Sequence, residues 1–213
     1  MKALSLGIEM SFRIEEKLSI HHSKLLDFLN WLKSNKGERI FEKRIVSSTY
    51  FDNRNFQCFR DSEEGVLPRK KIRIRSYSLD NHDRKNSQLE IKISSVEGRF
   101  KTTSKAINTS NILKYGYFDQ SYGVCNPKLR VSYVREYFSV FDIRVTIDKN
   151  ITYSRLNKDS SVLIHKKIDP NIIIELKASH KTSFDKLLKN FPFARSRFSK
   201  YSNAVRFLFP QIH

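Results

Sequence analysis

The chain has little of what marks a stapled, tethered or secreted protein. Among its 213 residues only Cys58 and Cys125 are cysteine, and they lack metal-ligand spacing. Neither a disulfide framework nor a zinc module is expected, and a reducing compartment is. Six glycines and five prolines mark no flexible linker, and the sequence contains no internal repeat or low-complexity tract. No uninterrupted apolar run is long enough for a bilayer-spanning helix. Glu9, Arg13 and Glu15 stand where a signal peptide needs its apolar segment. A soluble, cytoplasmic protein forming one domain over 1–213 is the expectation.

Acidic charge is also scarce. Asp and Glu number 22 against 40 for Lys and Arg, a formal +18, while 39% hydrophobic content suffices for a core. Such a balance favours a polyanionic partner, whether nucleic acid, an anionic membrane or a phosphate-rich small molecule, without choosing among them.

What is present is a repeated strand pattern. In Lys71-Ile-Arg-Ile-Arg75, side-chain alternation points Lys71, Arg73 and Arg75 one way and Ile72 and Ile74 the other. Leu89-Glu-Ile-Lys92 repeats it with Glu90 and Lys92. The polar Ser76–Gln88 stretch between them, with Asp80-Asn81-His82-Asp83, predicts a hairpin loop. Further strands are predicted over 12–20 (Arg13, Glu15 and Lys17 on one face), 44–52, 128–138 (Tyr133, Arg135), 141–151 (Arg144, Thr146, Asp148), 162–166 and 171–177 (Glu175, Lys177). Leu25, Phe28, Leu29, Trp31 and Leu32 recur at helical spacing within 21–35, with His21 and His22 exposed at its start. Asn53–Phe59 reads as a turn or short helix, 94–105 as polar and basic with a turn at Gly98, and 107–122 as a short helix and loop. Two C-terminal helices are predicted over 182–190 and 195–209.

Aliphatic faces packed under helices leave the charged faces to gather elsewhere. An open sheet puts them in water. A sheet closed into a barrel puts them in a lumen, which is costly unless a counter-ligand is present. Cations outnumber carboxylates on these faces, so the fitting ligand is a dense anion. Arg supplies forked donors for phosphate oxygens and Lys a point charge, while the carboxylates suit a hard metal such as Mn2+ or Mg2+.

Eight motifs in order carry a resemblance: Arg13-Ile-Glu15-Glu-Lys17, Ser48-Thr-Tyr50-Phe51-Asp52, Lys71-Ile-Arg73-Ile-Arg75, Leu89-Glu90-Ile-Lys92, Tyr133-Val-Arg135, Arg144-Val-Thr146-Ile-Asp148, Glu175-Leu-Lys177 and Ser199-Lys200-Tyr201. From about Phe12 to Phe209 the chain resembles the VTC domain, the polyphosphate polymerase branch of the triphosphate tunnel metalloenzymes. The related CYTH branch opens with Glu-x-Glu-x-Lys; here the first position is Arg13, which favours the VTC branch. The resemblance implies an α+β fold: a closed antiparallel β-barrel tunnel of about eight strands, a basic lumen, flanking helices and a C-terminal plug helix. It further implies phosphate binding by Lys17, Arg73, Arg75, Lys92, Arg135, Arg144 and Lys200, with Lys105 matched against a competing Lys101. Tyr133 and Ser199 would donate hydrogen bonds to phosphate, and Glu175 would ligate the metal. Glu15 and Glu90 are further metal candidates or else orient neighbouring cations across strands; Asp52 and Asp148 read as structural.

The activity implied is transfer of the terminal phosphoryl group of ATP onto a growing inorganic polyphosphate chain. Arg73, Arg75, Arg135, Arg144 and Glu175 form the expected catalytic set. A tripolyphosphatase or nucleoside triphosphatase, and a sensor that binds without turnover, stay open as alternatives. A specific nucleic-acid binder is disfavoured, because the basic residues alternate within strands and no zinc finger, helix-turn-helix or RNP motif occurs. The resemblance implies that eukaryotic relatives carry a regulatory domain and membrane segments, and neither is expected in this chain. Coupling to transport is not expected of it alone, and a membrane partner stays open. Lys166-Lys167 is left unexplained.

Overall fold

The computed structural model describes residues 8–10, 14–78, 87–105, 109–157, 163–178 and 191–212. Arg13, the Asp80–Asp83 loop and the helix expected over 182–190 lie outside the described residues, as does the Lys105 side chain.

The strands are β1 (Ile8–Met10), β2 (Ile14–His21), β3 (Glu38–Asp52), β4 (Arg69–Ser78), β5 (Gln88–Ser95), β6 (Gly98–Lys105), β7 (Tyr117–Asp119), β8 (Gly123–Val140), β9 (Ile143–Leu156), β10 (Leu163–Ile168) and β11 (Asn171–Ala178). All pairings are antiparallel, along the path β1-β6-β5-β4-β3-β8-β9-β11-β2, with β10 added to β9 and β7 to β8.

This corrects the expected closed barrel of about eight strands. The sheet has eleven strands among the described residues, and no ladder joins its ends, β1 and β2. A non-strand segment takes the outer edge of β2: Ser196 N donates to Lys17 O at 2.9 Å. With a loop on that edge, its carbonyl has no need of a ladder partner. The two end strands are nonetheless consecutive in the chain. Met10 and Ile14 are four residues apart, so they lie within about 14 Å. The sheet therefore curls round on itself and stops short of closure.

Two clusters cover its apolar faces. Helix α1 (Leu25–Ser34) lays Phe28, Trp31 and Leu32 on Leu18, Ile143, Val145, Ile147, Ile172 and Ile174, all buried. These are the aliphatic rows opposite the charged rows of β2, β9 and β11. Burying each such side chain contributes roughly 2 kcal/mol. The helix itself starts later than its periodicity predicts, because His21 still belongs to β2 and 22–24 form a 3-10 turn.

The second cluster holds α2 (Gln57–Glu64) and the last helix against Phe51, Leu129, Val131 and Ile151. Asp52 explains where α2 begins: its two oxygens accept from Cys58 N at 3.0 Å and Phe59 N at 3.1 Å. A carboxylate at a helix N-terminus satisfies donors that have no helical partner. Between 107 and 122 stand α3 (Thr109–Tyr115) and β7. The final helix, α4 (Lys200–Leu208), starts five residues later than predicted, capped by the Ser199 hydroxyl, which accepts from Ser202 N.

Candidate functional site

Because β2, β4, β5, β8 and β11 belong to one antiparallel sheet in fixed register, their charged rows meet inside the curled sheet. They surround a cavity of about 400 Å³. β2 contributes Glu15 and Lys17; β4 contributes Arg69, Lys71, Arg73 and Arg75; β5 contributes Lys92. β8 adds Tyr133 and Arg135, β11 adds Glu175 and Lys177, and Ser199 and Lys200 enter from the start of α4. With Arg197 and Arg206, eleven cationic side chains face three carboxylates, Glu15, Glu63 and Glu175. That imbalance suits a ligand of several negative charges rather than one.

Most of the expected phosphate-binding residues are thus brought together. Arg144 is not: it lies in register with Lys177 but does not line the cavity. Its buried Nε has no hydrogen-bond partner among the described residues. Glu90 does not line the cavity either. It is 1% exposed and bound by three cations: Arg73 Nη2 at 2.5 Å, Lys101 Nζ at 2.7 Å and Arg75 Nη1 at 3.7 Å. Of the two roles open to Glu90, this geometry is that of orienting cations.

Each guanidinium is held before any ligand arrives. Arg73 Nη1 donates to Tyr50 OH at 3.0 Å and Nε to Glu90 at 2.7 Å. Arg75 donates to Ser48 Oγ at 3.0 Å and to Tyr133 OH at 3.2 Å. Arg135 forks onto Asp148, Nε to Oδ1 at 2.6 Å and Nη2 to Oδ2 at 2.8 Å, and Lys200 Nζ reaches the same Oδ2 at 2.6 Å. Lys71 Nζ donates to Ser199 Oγ at 2.9 Å, which ties β4 to the N-terminus of α4. Asp52 and Asp148 are both fully buried and serve as structural acceptors here; Asp52 also receives the Tyr201 hydroxyl of α4.

The electrostatics record the crowding. Burial pushes the Lys17 and Lys177 ammoniums down, with Glu15 pulling each back and neighbouring cations adding to the fall. Lys92 is driven well below the usual lysine range by burial and then by Arg73. Burial lowers Lys71 to about 8. Burial alone raises the Tyr50 phenol, but Arg73 and Arg75 together outweigh it and bring it down to about 8. For Asp148, burial is opposed and overcome by Arg135 and Lys200, which hold the carboxyl well below its usual range.

The sequence reading placed Lys71 and Lys177 on the charged faces expected to line a lumen but gave them, and Tyr50, no role in the site. Arg197, which donates to Ser62 O at 2.9 Å, left no periodic signal because it stands outside regular structure.

A family model described as the VTC domain matches residues 12–122 and 108–209. The chain belongs to the VTC domain family. No curated protein matches this VTC domain chain. Solved structures do. One is a candidate adenylate cyclase from Bacillus halodurans, with a TM-score of 0.62 and 16% identity over 96% of this chain and 100% of that one. Another is a candidate adenylate cyclase from Vibrio parahaemolyticus, with a TM-score of 0.52 and 15% identity over 92% and 99%. At these identities the likeness is one of fold.

The metal that the family implies can be tested against the residues present. Among the described residues no cluster of three or more His, Cys, Asp or Glu could cage an ion. Glu15 and Glu175 do stand together, both 3.9 Å from Lys17 Nζ, and 3.5 and 3.3 Å from Lys177 Nζ. Two carboxylates beside a polyanion site fit a magnesium-like ion that takes its remaining oxygens from phosphate and water. The donor set fits an ion that arrives with its ligand.

Proposed function

We propose that the VTC domain cavity takes the triphosphate of ATP and transfers its terminal phosphoryl group to an inorganic polyphosphate chain. The observation that carries this reading is the convergence of cations from five strands and α4 on one enclosure, with two carboxylates at one wall. Phosphoryl transfer asks little covalent chemistry of a protein; position and charge neutralisation dominate. A terminal oxygen of the polyphosphate chain bonds to the γ-phosphorus while the bond from that phosphorus to the β-γ bridging oxygen breaks and ADP leaves. Arg73, Arg75 and Arg135, fixed in advance by Glu90, Tyr50, Ser48, Tyr133 and Asp148, meet developing charge without reorganising. Lys17, Lys71, Lys92 and Lys200 hold the flanking phosphates as point charges. Glu175, with Glu15, would hold Mn2+ or Mg2+, which supplies further neutralisation of phosphate oxygens. Lys105 and Arg144 are given no contact with the ligand in this scheme.

Incubation of the purified protein with ATP and manganese tests the proposal, with long polyphosphate separated from free phosphate by electrophoresis. Polyphosphate formed together with ADP supports it. Free phosphate alone makes the protein a triphosphatase, and tight binding of tripolyphosphate without turnover makes it a sensor.

A further inference from the structure

Beyond Arg135, on the same face of the sheet, stands an aromatic group that the phosphate chemistry does not use. Phe41 is 50% exposed, in a stretch of β3, Glu38–Arg44, that is exposed throughout. Its ring meets Tyr137 edge-on at 5.6 Å, with an interplanar angle of 88°. The Arg44 guanidinium lies 5.7 Å from the Phe41 ring centre and 5.8 Å from that of Tyr137.

The backbone is shaped to bring these groups together. Phe41 and Arg44 are three residues apart, so a regular strand would point them to opposite faces. The register instead pairs Phe41 with Tyr137 and Arg44 with Arg135, two residues apart on β8, because a bulge absorbs the odd residue. Bulges re-aim side chains, and they concentrate beside functional sites. Here the bulge puts Phe41 and Arg44 on the face that carries Arg135, a residue of the cavity wall. Core packing gives no reason for this, since Phe41 remains half in water.

We propose that Phe41 and Arg44, backed by the buried Tyr137 ring, form a stacking shelf for the base of a nucleoside triphosphate whose phosphates lie in the cavity. A planar heterocycle gains from both an aromatic face and a guanidinium plane. The step from Arg135 to the level of Phe41 and its register partner Tyr137, roughly 7 Å along the strand, leaves room for a sugar between phosphates at the first and a base on Phe41 at the second. The shelf adds selectivity: inorganic tripolyphosphate has no base and gains nothing from it. This inference rests on the triphosphate reading above.

The test compares ATP with inorganic tripolyphosphate as ligands for the whole chain and for Phe41→Ala and Phe41→Trp. Affinities come from calorimetric titration at fixed salt, and circular dichroism verifies that each variant is folded. Phe41→Ala is expected to weaken ATP roughly five- to tenfold and leave tripolyphosphate unchanged, with Phe41→Trp restoring ATP affinity. ATP affinity unchanged in Phe41→Ala, or ATP and tripolyphosphate weakened alike, overturns the shelf while the cavity reading stands. Failure of the wild type to bind tripolyphosphate refutes the cavity reading and the shelf with it.

Discussion

Replacing Asp148 by Asn separates what holds the cavity together from what the cavity holds. Asp148 is fully buried, and its two oxygens take three donors: Arg135 Nε and Nη2, and Lys200 Nζ at 2.6 Å. Asn keeps the shape, offers one carbonyl oxygen and turns an amide donor toward groups that can only donate. Two buried cations then lose their counter-charge, a change that costs about 3–5 kcal/mol when one partner of a buried pair is removed. For a chain of this size that is a fall in Tm of about 6–20 °C. Arg135 and Lys200 also line the cavity, so a polyanion bound there supplies charge to the same groups. Tripolyphosphate should therefore recover part of the loss, about 1–2 kcal/mol, and by linkage bind the variant roughly tenfold more tightly than the wild type. Urea denaturation of both proteins, with and without saturating tripolyphosphate, measures the two quantities. An equal loss in both conditions would show that Arg135 and Lys200 do not touch the anion, and the assignment would fall.

Glu175→Gln removes one carboxylate that lies 3.3 Å from Lys177 and 3.9 Å from Lys17. Tripolyphosphate binding should persist or tighten while manganese-dependent ATP turnover falls by orders of magnitude; turnover that survives would remove Glu175 from the reaction. The pH dependence carries a sign of its own, since Lys71 and Tyr50 both sit at about 8 in the folded protein, below their ordinary values. Between about 8 and 10 the unfolded chain keeps protons that the folded one has shed, so the contribution of these groups to stability rises with pH. Anion affinity should move the opposite way, by up to tenfold per unit for each proton taken up, because phosphate favours a charged lysine and a neutral phenol; titration calorimetry in buffers of different ionisation enthalpy reads that uptake, and a pH-independent affinity would contradict it.

The part of the molecule legible in the sequence is the part governed by side-chain period. Alternation in 71–75, 89–92, 133–135 and 175–177 put the correct residues on one face, and their convergence on one cavity followed from pairing. Closure was not legible, because it depends on which group takes the outer edge of β2. Ser196 takes it, from a segment with no period at all. β6 was read only as polar and basic, since an outlying strand with Thr102 and Thr103 offers no hydrophobic row. Arg144 lies in the charged row of β9 and pairs with Lys177, which lines the cavity, yet no residue of β9 lines it. Period fixes the face of a side chain and leaves open whether its strand borders the enclosed space. The Phe41–Arg44 pair escaped notice because a bulge reverses the parity on which the reading depends.

An imbalance of charge then becomes the central physical fact about the folded state. Lys92 has burial and Arg73 against its proton, Lys17 has burial, Lys200 and Lys177, and Lys177 has burial, Arg135 and Arg144. Glu15 offsets only part of this at Lys17 and Lys177, while Asp148 is engaged by Arg135 and Lys200, and Glu90 by Arg73 and Lys101. Side chains on a curled sheet cannot turn outward to solvent without breaking the rows that pack under α1. Under the proposed function the relief is an added anion, which would bind the native state and not the unfolded one. Such a ligand stabilises by about 2.7 kcal/mol at a hundredfold excess over its dissociation constant. Binding strength and fold stability are thus two readings of one electrostatic deficit. The contacts that orient Arg73, Arg75 and Arg135 keep that deficit in place rather than letting the fold neutralise it.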